Sequence, residues 1–163
     1  MAFASVADRL PSRAGFLLLY ATLLLAVALV LAWVLGVTLF FPKGELASQI
    51  VERADLIRAH IDYLMMAQFF LIFGLLARQF AIEPPRWAIA AASFGAFYNP
   101  LGFVRRAYAP KLDPAHLPEP HFPPLAALSF AGITIGFLVL ALLAVRAAWR
   151  SARQKQAALA SAE

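Results

Sequence analysis

The sequence predicts an all-α protein, an integral-membrane four-helix bundle. Hydrophobic residues make up 63% of the 163-residue chain and charged residues only 14%, a balance far from that of soluble domains. Four apolar runs, at about 14–41, 56–80, 86–104 and 124–149, match the roughly 20 helical residues needed to cross about 30 Å of hydrocarbon. Such runs must be helical, because in lipid each segment has to satisfy its own backbone hydrogen bonds.

The first run ends at Pro42-Lys43-Gly44. It is too long for the apolar region of a signal peptide and lacks a small-x-small cleavage site, so it is expected to stay as a transmembrane helix. Residues 42–55 are polar and read as a short amphipathic lead-in to the second run. That run continues to Phe80 and is followed by a tight turn through Pro84-Pro85. The third run is shorter and is interrupted by Gly95 and Asn99-Pro100. Residues 107–123 carry Pro110, Pro114, Pro118, Pro120 and Pro123, which forbid regular helix and favour extended or turning backbone. The fourth run starts at Pro124, and residues 150–163 read as a polar tail that frays. Together, residues 1–163 form a single membrane domain.

Charge places the ends. One side of the membrane holds Arg9, Arg13, Arg78, Arg86, Arg146, Arg150, Arg153 and Lys155; the other holds Lys43, Arg53, Arg58, Arg105, Arg106 and Lys111. The bias of basic residues puts both termini in the cytoplasm of a multi-pass protein, expected in a bacterial inner membrane. The net charge of +5 comes mainly from these short flanks. It reads as attraction to the anionic bilayer surface, not as a nucleic-acid interface. The absence of cysteine excludes disulfides, iron–sulfur clusters and thiolate chemistry.

Chemistry concentrates where the second run opens. His60, Asp62, Tyr63 and Gln68 lie within about two and a half helical turns of one another. Ionisable groups at membrane depth are costly and usually face a bundle interior, a partner or a ligand. A single histidine suits an axial haem ligand. Zinc wants about four ligands, and His116 and His121, in the proline-rich loop, lack the spacing to supply them. The alternative for His60 is a plain hydrogen bond to a carbonyl or headgroup at the interface.

Asp62 points to a different face from His60 and is placed to pair with Arg58 one turn away, or to line a pocket. Tyr63 stands three residues on from His60 as a candidate pocket donor. Met66 is soft enough to lie against a flat cofactor. In the third run, Asn99 precedes a proline that removes a backbone hydrogen bond, which makes it the second-best site candidate; Tyr98 is its neighbour. Arg105 and Arg106 offer counter-charges for haem propionates or for lipid phosphate.

At Arg58-Ala59-His60 followed by Leu64-Met65-Met66, and again from Phe94 to Phe103, the chain resembles the styrene oxide isomerase family and the related hydroxylaminobenzene mutases. Length, four spans, a histidine opening the second helix and an asparagine followed by Gly-Phe late in the third all fit. The resemblance implies a homotrimer holding haem b between protomers, with His60 as the axial iron ligand. It implies an isomerase in which ferric haem acts as a Lewis acid on a small lipophilic substrate, an aryl epoxide carried to a carbonyl. Asn99, Asp62, Tyr63 and Tyr98 would orient substrate. At positions where the family carries polar residues, this chain has Met66, Gly95 and Phe103. The alternative function is a non-catalytic haem-binding membrane subunit that assists electron transfer, with a symmetric oligomer supplying the second axial histidine.

Overall fold

A computed structural model describes residues 12–111 and 123–160, and every regular element among them is helical. The first apolar run forms α1 (Ser12–Phe40). Pro42 disfavours helical backbone at Phe41, whose N–H makes the last bond, to the Val37 carbonyl at 2.9 Å. The polar stretch beyond it forms one short helix, α2 (Glu45–Gln49), in keeping with the lead-in that the sequence suggests.

The second run forms α3 (Arg53–Gln79), capped by the Glu52 side chain, which accepts from the Ala54 N–H. Asp55 in its first turn and Arg78 in its last complement the helix dipole. The helix closes in a Schellman turn: Ile82 N–H donates to the Ala77 carbonyl at 2.8 Å, Ala81 N–H reaches the Arg78 carbonyl at 3.4 Å, and Ala81 takes φ 50°.

The third run forms α4 (Arg86–Tyr108), entered through Pro85. The interruption expected at Asn99-Pro100 does not occur: the helix passes through Pro100 and runs on to Tyr108. Pro100 is buried. Its ring deprives only the Ala96 carbonyl of a bond, a loss that neighbouring helices make tolerable in apolar surroundings. The last helix, α5 (Pro124–Ala160), begins with proline where a missing N–H costs nothing. It continues through Arg150 to Ala160, so the stretch assigned to a fraying tail is helical at least that far, though fully exposed. Its alanines, glutamines, lysine and arginine are strong helix formers that need no packed face to continue the helix.

Among the described residues, three helices, α1, α3 and α5, are long and apolar enough to cross a membrane. α4 is about 34 Å long by its residue count, but falls outside that group; its middle carries Ser93, Tyr98, Asn99 and Pro100.

The long helices pack in sequence order: α1 on α3, α3 on α4, and α4 on α5. α1 and α5 share no substantial contact, so the array is open rather than square. Between α4 and α5 the backbones nearly touch. A β-carbon on Gly136 would come within 2.7 Å of both the Ala88 carbonyl and the Ala92 side chain, and one on Gly95 would strike the Ser129 carbonyl. Small residues permit this approach where helices associate by packing rather than by expelling water. α1 meets α3 through Leu17 and Leu18 against Gly74. Tyr20 donates to the Ser93 carbonyl at 2.7 Å, and so joins α1 to α4.

Both ends are tied. At one, Arg13 pairs with Glu83 at 3.1 Å and donates to the Pro84 carbonyl at 2.8 Å. At the other, the Val51 and Glu52 N–H groups share the Ala107 carbonyl, at 2.8 and 3.1 Å. The exterior is as apolar as the core. Leu19, Leu23, Val30, Trp33, Leu138 and Val145 all face outward, as expected of helices that are hydrophobic all round.

Candidate cofactor and substrate site

His60 sits on the second turn of α3 and is half-buried. Its Nδ1 lies 2.9 Å from the Ala28 carbonyl of α1. A carbonyl only accepts, so Nδ1 carries the proton. In the neutral ring Nε2 then holds the lone pair, the arrangement typical of metal-ligating histidines. The carbonyl contact considered from sequence is therefore present, and it leaves the ligating nitrogen available. On another face of α1 from the buried Ala28, a shallow apolar concavity of about 370 Å³ is lined by Leu29, Ala32, Trp33, Gly36, Val37 and Phe40; His60 does not line it. Nothing stands within 4 Å of where a Gly36 β-carbon would be.

Asp62 is half-buried and lies on another face of α3. Phe69 and Phe73 follow it along the same stripe, and both meet Phe137 of α5, at ring centroids 5.3 and 5.4 Å away. The side of α3 that carries Asp62 therefore turns toward α5, while His60 turns toward α1. The Arg58–Asp62 pair read from helical spacing does not form. Arg58 turns back to Asp55 at 2.9 Å, and Arg106 reaches the same oxygen at 3.1 Å. Asp55 wins because it is buried between α3 and α4, where two guanidinium groups converge on it.

Asn99 stands one turn beyond Gly95, on the stripe Ala88–Ala92–Gly95 that packs against α5. Tyr63 opposite Phe97 and Asp55 opposite Arg106 fix the antiparallel register of α3 and α4. That register sets Asp62 level with Asn99, both on sides turned to the start of α5. These two candidates share a wall, and it is not the wall of His60.

The remaining candidates are spread out. Tyr63 is buried, and its hydroxyl donates to the Phe97 carbonyl at 3.0 Å, so its one proton serves the α3–α4 contact rather than a pocket. Tyr98 is 38% exposed and meets the Phe94 ring at a tilt and the Phe97 ring edge-to-face at the outer surface, apart from Tyr63. Met66 is buried in the core and not on the His60 face. Arg106 is committed to Asp55 and to the Phe103 ring, 4.6 Å away, which leaves Arg105 as the member of the pair without an ion-pair partner among the described residues. His116 and His121 lie outside the described residues, among which no cluster of three metal-ligating side chains occurs.

Sequence reasoning passed over three features. Gly132 and Gly136, four residues apart in an apolar run, signal close helix packing. Asp55 gave a signal as an acid at a helix start, but its partner on α4 could not be read from spacing. Ser93 gave none: its Oγ is buried without a hydrogen-bond partner among the described residues.

No protein-family model, curated protein or solved structure matches this chain. Fold and site therefore define its class by themselves. Its described residues are all-helical in their regular elements, with three helices fit to cross a membrane and an anchored imidazole on the second of them.

Proposed function

We propose that the chain is a membrane-embedded haem-dependent isomerase acting on a small lipophilic substrate, in which α4 completes a four-span bundle and His60 is the axial ligand. The observation that carries this reading is the 2.9 Å contact between His60 Nδ1 and the Ala28 carbonyl. It fixes the tautomer, limits ring rotation and reserves Nε2 for a metal. The apolar concavity at Leu29, Trp33 and Phe40 lies on another face of α1 from His60, so it does not supply the wall beside the imidazole. The rest of the macrocycle's surroundings come from a second copy of the chain, in the trimer that the family resemblance implies.

Held by His60, ferric haem b would supply a Lewis acid for an epoxide oxygen. The chain's own residues orient the substrate. Asp62 and Asn99, level with each other and turned to α5, bind the polar end of the substrate from the neighbouring protomer, because within one chain they face away from His60.

The test is an absorption spectrum of the purified protein beside His60→Ala. The parent shows a Soret band. The variant loses it and regains it with added imidazole. A band unchanged in His60→Ala, or absent from the parent after haem-sufficient expression, overturns the reading.

A further inference from the structure

We propose that the end of the molecule opposite the His60 end of α3 carries a binding site for an anionic phospholipid, formed where the turn after α3 meets the outgoing part of α5. A cleft of about 540 Å³ lies there, with Arg146, Arg150 and Gln154 of α5 on one wall and Gln79, Phe80 and Ile82 on the other.

Arg146 and Arg150 stand one turn apart, so their guanidinium groups lie on the same face. Neither forms an ion pair among the described residues, and no carboxylate lines the cleft. The nearest acid in sequence to that turn, Glu83, is already paired with Arg13. Two planar, permanently charged donors without a protein acceptor fit phosphate oxygens. Phe80, Ile82 and Leu143 give the same cleft an apolar floor, which fits the glycerol and first methylenes of a lipid rather than a free anion.

The depth is right. Arg78 and Arg86 bracket the turn after α3, and that level is where α3 leaves the hydrocarbon and where headgroups stand. α5 runs past it to Ala160, so Arg146 and Arg150 lie in the layer between acyl chains and water. Basic pockets between spans at this depth hold anionic headgroups. The proposal needs the membrane setting but not the haem or the isomerase chemistry.

The test titrates the detergent-purified full chain with phosphatidylglycerol or phosphatidylcholine and counts bound lipid by native mass spectrometry. Each basic residue near an anionic surface contributes roughly fivefold in affinity, so Arg146→Gln with Arg150→Gln lowers phosphatidylglycerol binding by about 25-fold. Arg153→Gln with Lys155→Gln removes the same charge outside the cleft and leaves most of the binding in place, because neither residue lines the cleft. Equal binding of the two lipids, equal losses in the two double variants, or displacement of the lipid by millimolar inorganic phosphate overturns the proposal. The helical content of each variant by circular dichroism confirms that the comparison is between folded proteins.

Discussion

Asp55 of α3 and Arg106 of α4 stand 51 positions apart in sequence and meet at 3.1 Å, with Arg58 on the same carboxylate oxygen at 2.9 Å. The carboxylate is nearly buried, but both arginines are more than half exposed, so water screens much of the attraction. Asp55→Asn keeps the shape and removes the charge. It is expected to destabilise the fold by about 1–2 kcal/mol, the range for charge-assisted hydrogen bonds at a partly screened site. Thermal unfolding in detergent checks this. A double variant with Arg106→Gln is expected to lose less than the sum of the single changes, because the two residues share one interaction.

The glycines of α4 and α5 separate packing from propensity. Gly95→Leu and Gly136→Leu each force backbones apart where no side chain fits. Each is expected to cost about 3 kcal/mol or more, at the upper end for overpacking. Gly102 also lies within α4, but nothing stands within 4 Å of its missing β-carbon. Gly102→Ala is therefore expected to be neutral or to stabilise by up to about 1 kcal/mol through helix propensity. Unfolding midpoints that fail to separate Gly95 and Gly136 from Gly102 would mean that α4 and α5 are not packed this closely.

Ala81 sits at φ 50° in the turn that closes α3. The left-handed region costs a residue with a β-carbon about 1–2 kcal/mol, and glycine is the usual occupant of this position. Ala81→Gly is expected to stabilise by about 0.5–1 kcal/mol, once the greater freedom of glycine in the unfolded chain is subtracted. Ala81→Val is expected to destabilise. A melting temperature that falls for the glycine variant would sink this account of the turn.

Helix ends set by covalent chemistry were legible in the sequence. Pro42 stops α1, Pro84-Pro85 separate α3 from α4, and Pro124 opens α5, because a proline ring acts on its own residue and its immediate neighbours. Pro100 misleads for the same reason: the local rule says break, while apolar packing around a continuous α4 compensates the one carbonyl it frees. Faces were partly legible. The spacing of His60 and Asp62 shows that they diverge, but not that one turns to α1 and the other to α5. Arg58 was misassigned because helical spacing allows both Asp55 and Asp62, and only α4, arriving with Arg106, decides between them. Tyr63 was read as a pocket donor because a phenol in an apolar run signals a hydrogen bond without naming its partner.

Tyr63→Phe tests that last point directly. If the hydroxyl serves only the Phe97 carbonyl, its loss costs about 0.6–1 kcal/mol, as for other hydrogen bonds between membrane helices. On the proposed function, the Soret band and the turnover are expected to stay unchanged. A drop in kcat without loss of stability would restore Tyr63 to the substrate site.

The separation of His60 from Asp62 and Asn99 leads to a prediction about assembly. If the substrate lies between the imidazole-bearing face of one protomer and the α5-facing wall of the next, each site needs an intact residue from each of two chains. His60→Ala and Asp62→Asn are then both inactive as pure assemblies. Mixed assemblies contain some junctions where an intact His60 meets an intact Asp62, so co-expression of the two variants with different affinity tags, followed by tandem purification, is expected to recover part of the epoxide-isomerising activity. Sites completed within a single chain give no recovery at any mixing ratio. That outcome would require His60 and Asp62 to act from one protomer, against the directions in which α3 turns them.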